Sequence, residues 1–341
     1  MQILHSKFTE FNALKNTVPS MVFDPEKETL EVWQEKAGKK LEELLGLPHK
    51  KCNALFEKEH EKELENCTEI RFTYQSEEGE FVPAVMWIPK NCSKEKPPVM
   101  ICLQGHSTGM HISMGRVKFD GDEESVSSGD RDFAVQCIKH GIAAISVEQR
   151  CFGERGGNPD PDCYTASMAA ILSGRTIIGG RVWDVMSLID VLESEFSEIL
   201  DTDKIYCMGN SGGGTATFYA TALEKRIKAS IPSCAFATFY GSIGTLRHCA
   251  CNYVPSISKY FDMAEIAGLI APRPIVIVSG KEDKIFPLET AEHEFERLKS
   301  IYYKNCEKPD NCVHVKGEGG HRFYAKDSWQ EFNRLLKENN V

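Results

Sequence analysis

Between residues 99 and 315 short apolar runs alternate with amphipathic stretches. The runs at 99–103, 142–147, 205–208, 229–232, 275–278 and 312–315 contain few polar residues, the pattern of strands buried on both faces. Helical spacing of apolar positions occupies 131–140, 180–195, 213–225 and 288–300. Alternating elements of this kind predict βαβ units, hence an α/β fold with a mostly parallel central sheet and helices on both faces. Ahead of them, residues 68–74 and 81–88 flank a turn at 76–79 and predict an antiparallel hairpin. Farther back, Leu30, Trp33, Ala37, Leu41, Leu44 and Leu45 repeat on one helical face. Asp24 reads as that helix's N-cap with Pro25 at its first position, and Gly46 and Pro48 as its end. The charged stretch 51–65 reads as a second helix. Residues 1–66 are thus expected to form a helical N-terminal extension packed on a main domain of residues 67–341. Residues 118–130 and 237–271 fit neither period; the second is read as an insertion overhanging the strand ends, a candidate cap.

Composition narrows the partners. A net charge of -10 over 341 residues argues against nucleic acid or an anionic membrane. No run reaches the ~18 apolar residues of a membrane span, and the first residues lack the basic-then-apolar pattern of an export signal. Thirteen cysteines in such a chain fit free thiols in a reducing compartment, so a cytoplasmic protein is expected. The close group His248, Cys249 and Cys251 lacks C-x-x-C spacing and a second pair, so neither a metal nor a cofactor is assigned.

The chemistry begins at Gly209-Asn210-Ser211-Gly212-Gly213, which fits G-x-S-x-G between a predicted strand and a predicted helix. Small residues on both sides let the backbone reverse sharply and hold the hydroxyl outside the sheet, at a helix start that favours negative charge. A serine nucleophile needs a base and a group to orient that base. Glu282 and Asp283 follow the strand at 275–278, and Asp283 is preferred because it stands just ahead of the helix begun by Pro287. His321 follows the last predicted strand and a Gly-Gly pair. The order Ser211, Asp283, His321 is the one in which the nucleophile, acid and base of G-x-S-x-G hydrolases follow one another. The oxyanion donors expected are the N–H of Gly212 and one from the loop after 99–103, assigned to His106. Gln104, Arg150, Arg247 and Tyr253 are candidate substrate-binding residues, with ion pairing the favoured alternative for Arg150 and core packing an equal one for the segment 247–253.

These residues resemble the α/β-hydrolase superfamily over residues 68–341, and within it the acetyl xylan esterase and dienelactone-hydrolase-like branch of bacterial serine esterases. The resemblance rests on Leu103-Gln104-Gly105-His106, on the Ser211 motif, on Ile270-Ala271-Pro272-Arg273-Pro274 and on Gly320-His321. Two features depart from it. Serine stands where dienelactone hydrolases carry cysteine, and the oxyanion loop reads Gln-Gly-His where many relatives have His-Gly. The resemblance implies a serine hydrolase of small, acetyl-type carboxylic esters working through an acyl-enzyme, and the acidic net charge favours a neutral small-molecule substrate. The alternatives are a peptidase or amidase with the same triad, and a non-catalytic binding protein on a hydrolase fold.

Overall fold

The computed structural model describes residues 5–90, 95–156 and 162–341; four of the residues read for an export signal, 1–4, lie outside these. Among the described residues, nine strands form one sheet. They are β1 Glu57–Glu63, β2 Cys67–Glu77, β3 Glu80–Pro89, β4 Pro98–Leu103, β5 Ala143–Val147, β6 Asp201–Asn210, β7 Ile227–Ser233, β8 Ile275–Gly280 and β9 Cys312–Gly317. Their order is β1-β2-β3-β5-β4-β6-β7-β8-β9. The first three are antiparallel, β3 pairs antiparallel with β5, and every pair from β5 to β9 is parallel. The helices are α1 Ser6–Lys15, α2 Leu30–Leu45, α3 Phe133–Lys139, α4 Tyr164–Leu172, α5 Ile177–Glu195, α6 Gly212–Leu223, α7 Met263–Gly268, α8 Leu288–Arg297 and α9 Ala325–Asn339.

The apolar runs make strands because side chains on both faces find a core. Along β6, Ile205 and Cys207 join one apolar cluster while Tyr206 and Met208 join the other. Val99, Ile101 and Leu103 of β4 alternate in the same way with Met100 and Cys102. Residues of α2, α5, α6 and α7 cover the first face, and residues of α3 and α9 the second. The chain therefore has the mostly parallel α/β architecture expected from its patterning, in the α/β-hydrolase form that the resemblance implies.

Two local expectations are corrected. Residues 51–65 hold no helix; β1 lies there as an exposed edge strand paired with β2. Charged side chains suit an edge, which they protect from further pairing, and their helix-compatible composition misled the pattern. The N-cap of α2 is Thr29, whose Oγ1 accepts from Val32 N, whereas residues 25–27 form a turn after Asp24. The helix does end at Gly46, in the left-handed region at φ 75°. Its buried face, including Trp33, Ala37 and Leu41, joins the core of the main sheet. Trp33 packs against Tyr302 with ring centroids 4.8 Å apart. In 237–271, Phe239, Ile243, Val254, Ile257 and Phe261 belong to that same core.

Candidate active site

The parallel arrangement brings the loops after β4, β6, β7, β8 and β9 to one end of the sheet, where an open α/β sheet binds its ligands. Ser211 stands between β6 and α6 at φ 57°, ψ -124°, a backbone conformation that side chains rarely adopt. Close approach explains the glycines around it. A Cβ on Gly213 would lie 2.0 Å from Leu103 O, and one on Gly209 would lie 2.5 Å from Gly213 O. Two bonds hold the turn: Ser211 N donates to Ser233 O at 2.8 Å, and Thr215 N donates to Ser211 O at 2.8 Å.

Asp283, after β8, is buried and accepts from His321 Nδ1 at 2.8 Å through Oδ2. Its Oδ1 accepts the backbone N–H groups of Ile285 at 2.8 Å and Phe286 at 3.0 Å. Burial raises the carboxyl's pKa, but the histidine and the two amides outweigh it and hold it below the ordinary carboxylate value. Glu282, the other acid considered, is exposed and has no bond to His321 among the described residues. The ring of Phe286 stacks on His321 at 6.1 Å and 15°. His321 Nε2 is buried and without a hydrogen-bond partner among the described residues. Cys234 connects this pair to the serine's strand end. It follows Ser233, the residue bonded to Ser211, and its Sγ lies within 4.8 Å of the Asp283 carboxylate and the His321 ring nitrogen.

The loop after β4 runs beside the serine. A Cβ on Gly105 would lie 3.0 Å from Ser211 Cβ, and the imidazole of His106 lies against Gly212, Nδ1 being 2.8 Å from the place of a Gly212 Cβ. Glu148, after β5, secures this loop. It accepts from Gln104 Nε2 at 2.8 Å, from Met110 N at 3.1 Å and from Glu154 N at 3.3 Å. Burial pushes its carboxyl up to about 7 despite those amides. Gly109 and Gly153, at φ 144° and 43°, leave the room that Glu148 occupies. The charges of the 148–154 loop suggest a loop-holding role from sequence, but the donors Gln104 and Met110 reach Glu148 only through the fold.

The remaining candidates have other partners or surroundings. Gln104 is buried against Glu148, and Arg150 bonds Asp184 at 2.8 and 3.0 Å and Glu77 at 2.7 Å. Each is engaged in holding loops together, which for Arg150 is the favoured alternative of ion pairing. Asp184 also takes Arg155 at 2.7 Å, and the two arginines overcome its burial to keep its carboxyl far below the usual range. Tyr253 lines a groove of about 390 Å³ against α1 that includes none of Ser211, Asp283 and His321. Arg247 is exposed. His248 sits behind the acid loop, bonded to Ser242 Oγ at 3.0 Å.

Known proteins are consistent with this architecture. The model of the Abhydrolase family matches residues 4–167, a span that includes His106 and Glu148 and stops before Ser211. YtaP of Bacillus subtilis (strain 168), named as a hydrolase, is 27% identical over 226 residues, 65% of this chain and 72% of its own. A Bacteroides fragilis structure named for acetyl xylan esterase superposes with a TM-score of 0.75 at 17% identity, covering 92% of this chain and 83% of that one. A glucuronoyl esterase from Solibacter usitatus gives 0.70 at 14% identity, covering 94% and 97%. Among the described residues, no helix is long and apolar enough to cross a membrane. With its strand order, its strained serine turn and these likenesses, the chain has the α/β-hydrolase fold and is similar to hydrolases built on it.

Proposed function

We propose that this chain is a serine carboxylic ester hydrolase acting on esters of carbohydrates, with Ser211 as nucleophile, His321 as base and Asp283 as the group that orients it. The observation that carries the reading is the Asp283–His321 bond of 2.8 Å, which fixes Nδ1 as the protonated nitrogen and leaves Nε2 unpartnered to accept a proton. In this mechanism His321 Nε2 takes the Ser211 proton as Oγ attacks the ester carbonyl carbon. The carbonyl oxygen becomes an oxyanion, held by the N–H of Gly212 and by the loop carrying His106. Collapse breaks the C–O bond, His321 protonates the departing alcohol, and water then releases the acid from Ser211 by the same steps in reverse order. Asp283 stays ionised throughout and stabilises the imidazolium.

Acetyl esters on a sugar are the first substrate reading, supported by the likeness to the acetyl xylan esterase structure. A second has its own support. A 4-O-methyl-glucuronoyl methylesterase of Phanerochaete carnosa is 29% identical over 169 residues, spanning 41% of this chain and 40% of its own. Hydrolysis of acetylated xylo-oligosaccharides, methyl glucuronates and an acyl anilide by the purified protein separates the cases. Acetate release is expected to dominate. Faster cleavage of the glucuronate ester would move the substrate to the sugar-acid side, and no turnover of any ester would overturn the hydrolase reading.

A further inference from the structure

Beside the serine turn, four metal-type donors from three separate segments converge. They are His106 in the loop after β4, Cys163 just ahead of α4, and Cys249 with Cys251 in the segment 237–271. Their donor atoms all lie within 4.8 Å of one another. His106 Nε2 is 3.2 Å from Cys251 Sγ and 3.9 Å from Cys163 Sγ. A tetrahedral zinc site, with Zn–S of about 2.3 Å and Zn–N of about 2.0 Å, places its donors roughly 3.5–3.8 Å apart. The cluster needs only small side-chain adjustments to reach that size.

A second observation concerns charge. Arg181 on α5 is 1% exposed and has no carboxylate partner among the described residues. Its guanidinium donates to Arg150 O at 2.8 Å, to Cys251 Sγ at 3.3 Å and to Cys163 Sγ at 3.6 Å, and lies 4.1 Å from the centre of the Phe152 ring. A buried cation without a counter-charge is strongly unfavourable, and neutral thiols supply none. Thiolates do.

We propose that His106, Cys163, Cys249 and Cys251 bind one zinc ion, with His106 ligating through Nε2 and Arg181 as the buried counter-ion. Three thiolates and a neutral imidazole around a divalent ion leave one negative charge, which the guanidinium cancels. The donor set, three sulfurs and one imidazole, is that of a closed structural zinc site. Each cysteine releases its thiol proton as the ion enters. Ligation at Nε2 leaves the His106 proton on Nδ1, the atom that lies against Gly212, and the ion would tie the loop of residues 104–106, beside the serine turn, to Cys163 and to the segment holding Cys249 and Cys251. His248, adjacent to the Cys249 and Cys251 pair in sequence, is not a member. This is why spacing along the chain concealed the set: its histidine and one cysteine come from distant segments.

The test is metal content, which is read without any assay of turnover. Full-length protein produced in zinc-supplemented medium and dialysed without chelator should carry about one zinc per chain. Replacement by Co²⁺ should give intense sulfur-to-cobalt charge-transfer absorption with tetrahedral d–d bands. Cys249→Ser and Cys251→Ser should lose most of the zinc, while Cys306→Ser, on a half-buried thiol outside the cluster, should keep it. Should the cluster variants fail to fold, the zinc content and cobalt spectrum of the unaltered protein decide alone. Wild-type protein without zinc after dialysis against Zn²⁺, or with Cys163, Cys249 or Cys251 joined in a disulfide, would overturn the proposal and leave the esterase reading standing.

Discussion

Ser211 at φ 57°, ψ -124° occupies a backbone conformation of the kind that costs on the order of 1–3 kcal/mol. Such strain persists where the surroundings enforce it, and here Gly209, Gly213 and the bond to Ser233 O do so. If the acid is Asp283, then Asp283→Asn should lower kcat by about 10³–10⁴-fold, as loss of the correct imidazole tautomer does in Ser-His-Asp enzymes. Glu282→Gln, at an exposed side chain, should leave kcat within about twofold. Steady-state kinetics of the two variants checks both statements, and a larger loss at Glu282 would reverse the assignment. At this scale Ser211, Asp283 and His321 were legible as candidates, because each belongs to a short motif after a strand. The sequence suggested ion pairing for Arg150 but not the partners of Arg150 or Gln104, since Glu148, Asp184 and Glu77 reach them only through the fold.

The elements around the serine depend on close backbone contact. A Gly213→Ala side chain would meet Leu103 O at 2.0 Å. Relief requires α6 to move off β4, so the variant should lose about 1–3 kcal/mol or more of stability in urea denaturation. Helix α2 gives a separate test. Trp33 is 2% exposed and packs on Phe23 and Tyr302. Trp33→Ala should cost about 3–5 kcal/mol and lower a single unfolding transition if α2 is an integral part of the core. A separate early transition would show that residues 1–66 unfold independently. Buried strands and their helices were legible because two periods of hydrophobicity differ plainly. The edge strand β1 was not, because a strand exposed along nearly its whole length carries no alternation to read. Likewise Pro25 signalled a helix start more strongly than Thr29, the residue that caps it.

For the whole molecule, Glu148 links the loop after β4 to the turn at 149–154 and makes stability depend on pH. Its carboxyl, raised to about 7, binds more protons folded than unfolded between the ordinary carboxylate value and 7. Its contribution is therefore present at low pH and is lost as pH rises through that window. Relative to wild type, Glu148→Gln should gain thermal stability from pH 5 to pH 8, and a constant or opposite difference would place the charge elsewhere. The same sheet end presents the strained Ser211, the bonded pair Asp283 and His321, and the loop beside them, the arrangement on which the proposed hydrolysis rests. The direct measurement is intact-mass and peptide mapping after exposure of the folded protein to a fluorophosphonate. One adduct on Ser211, absent in Ser211→Ala and sharply slowed in His321→Ala, is the predicted result. Folded wild-type protein that stays unmodified, or is modified at another residue, would contradict the account.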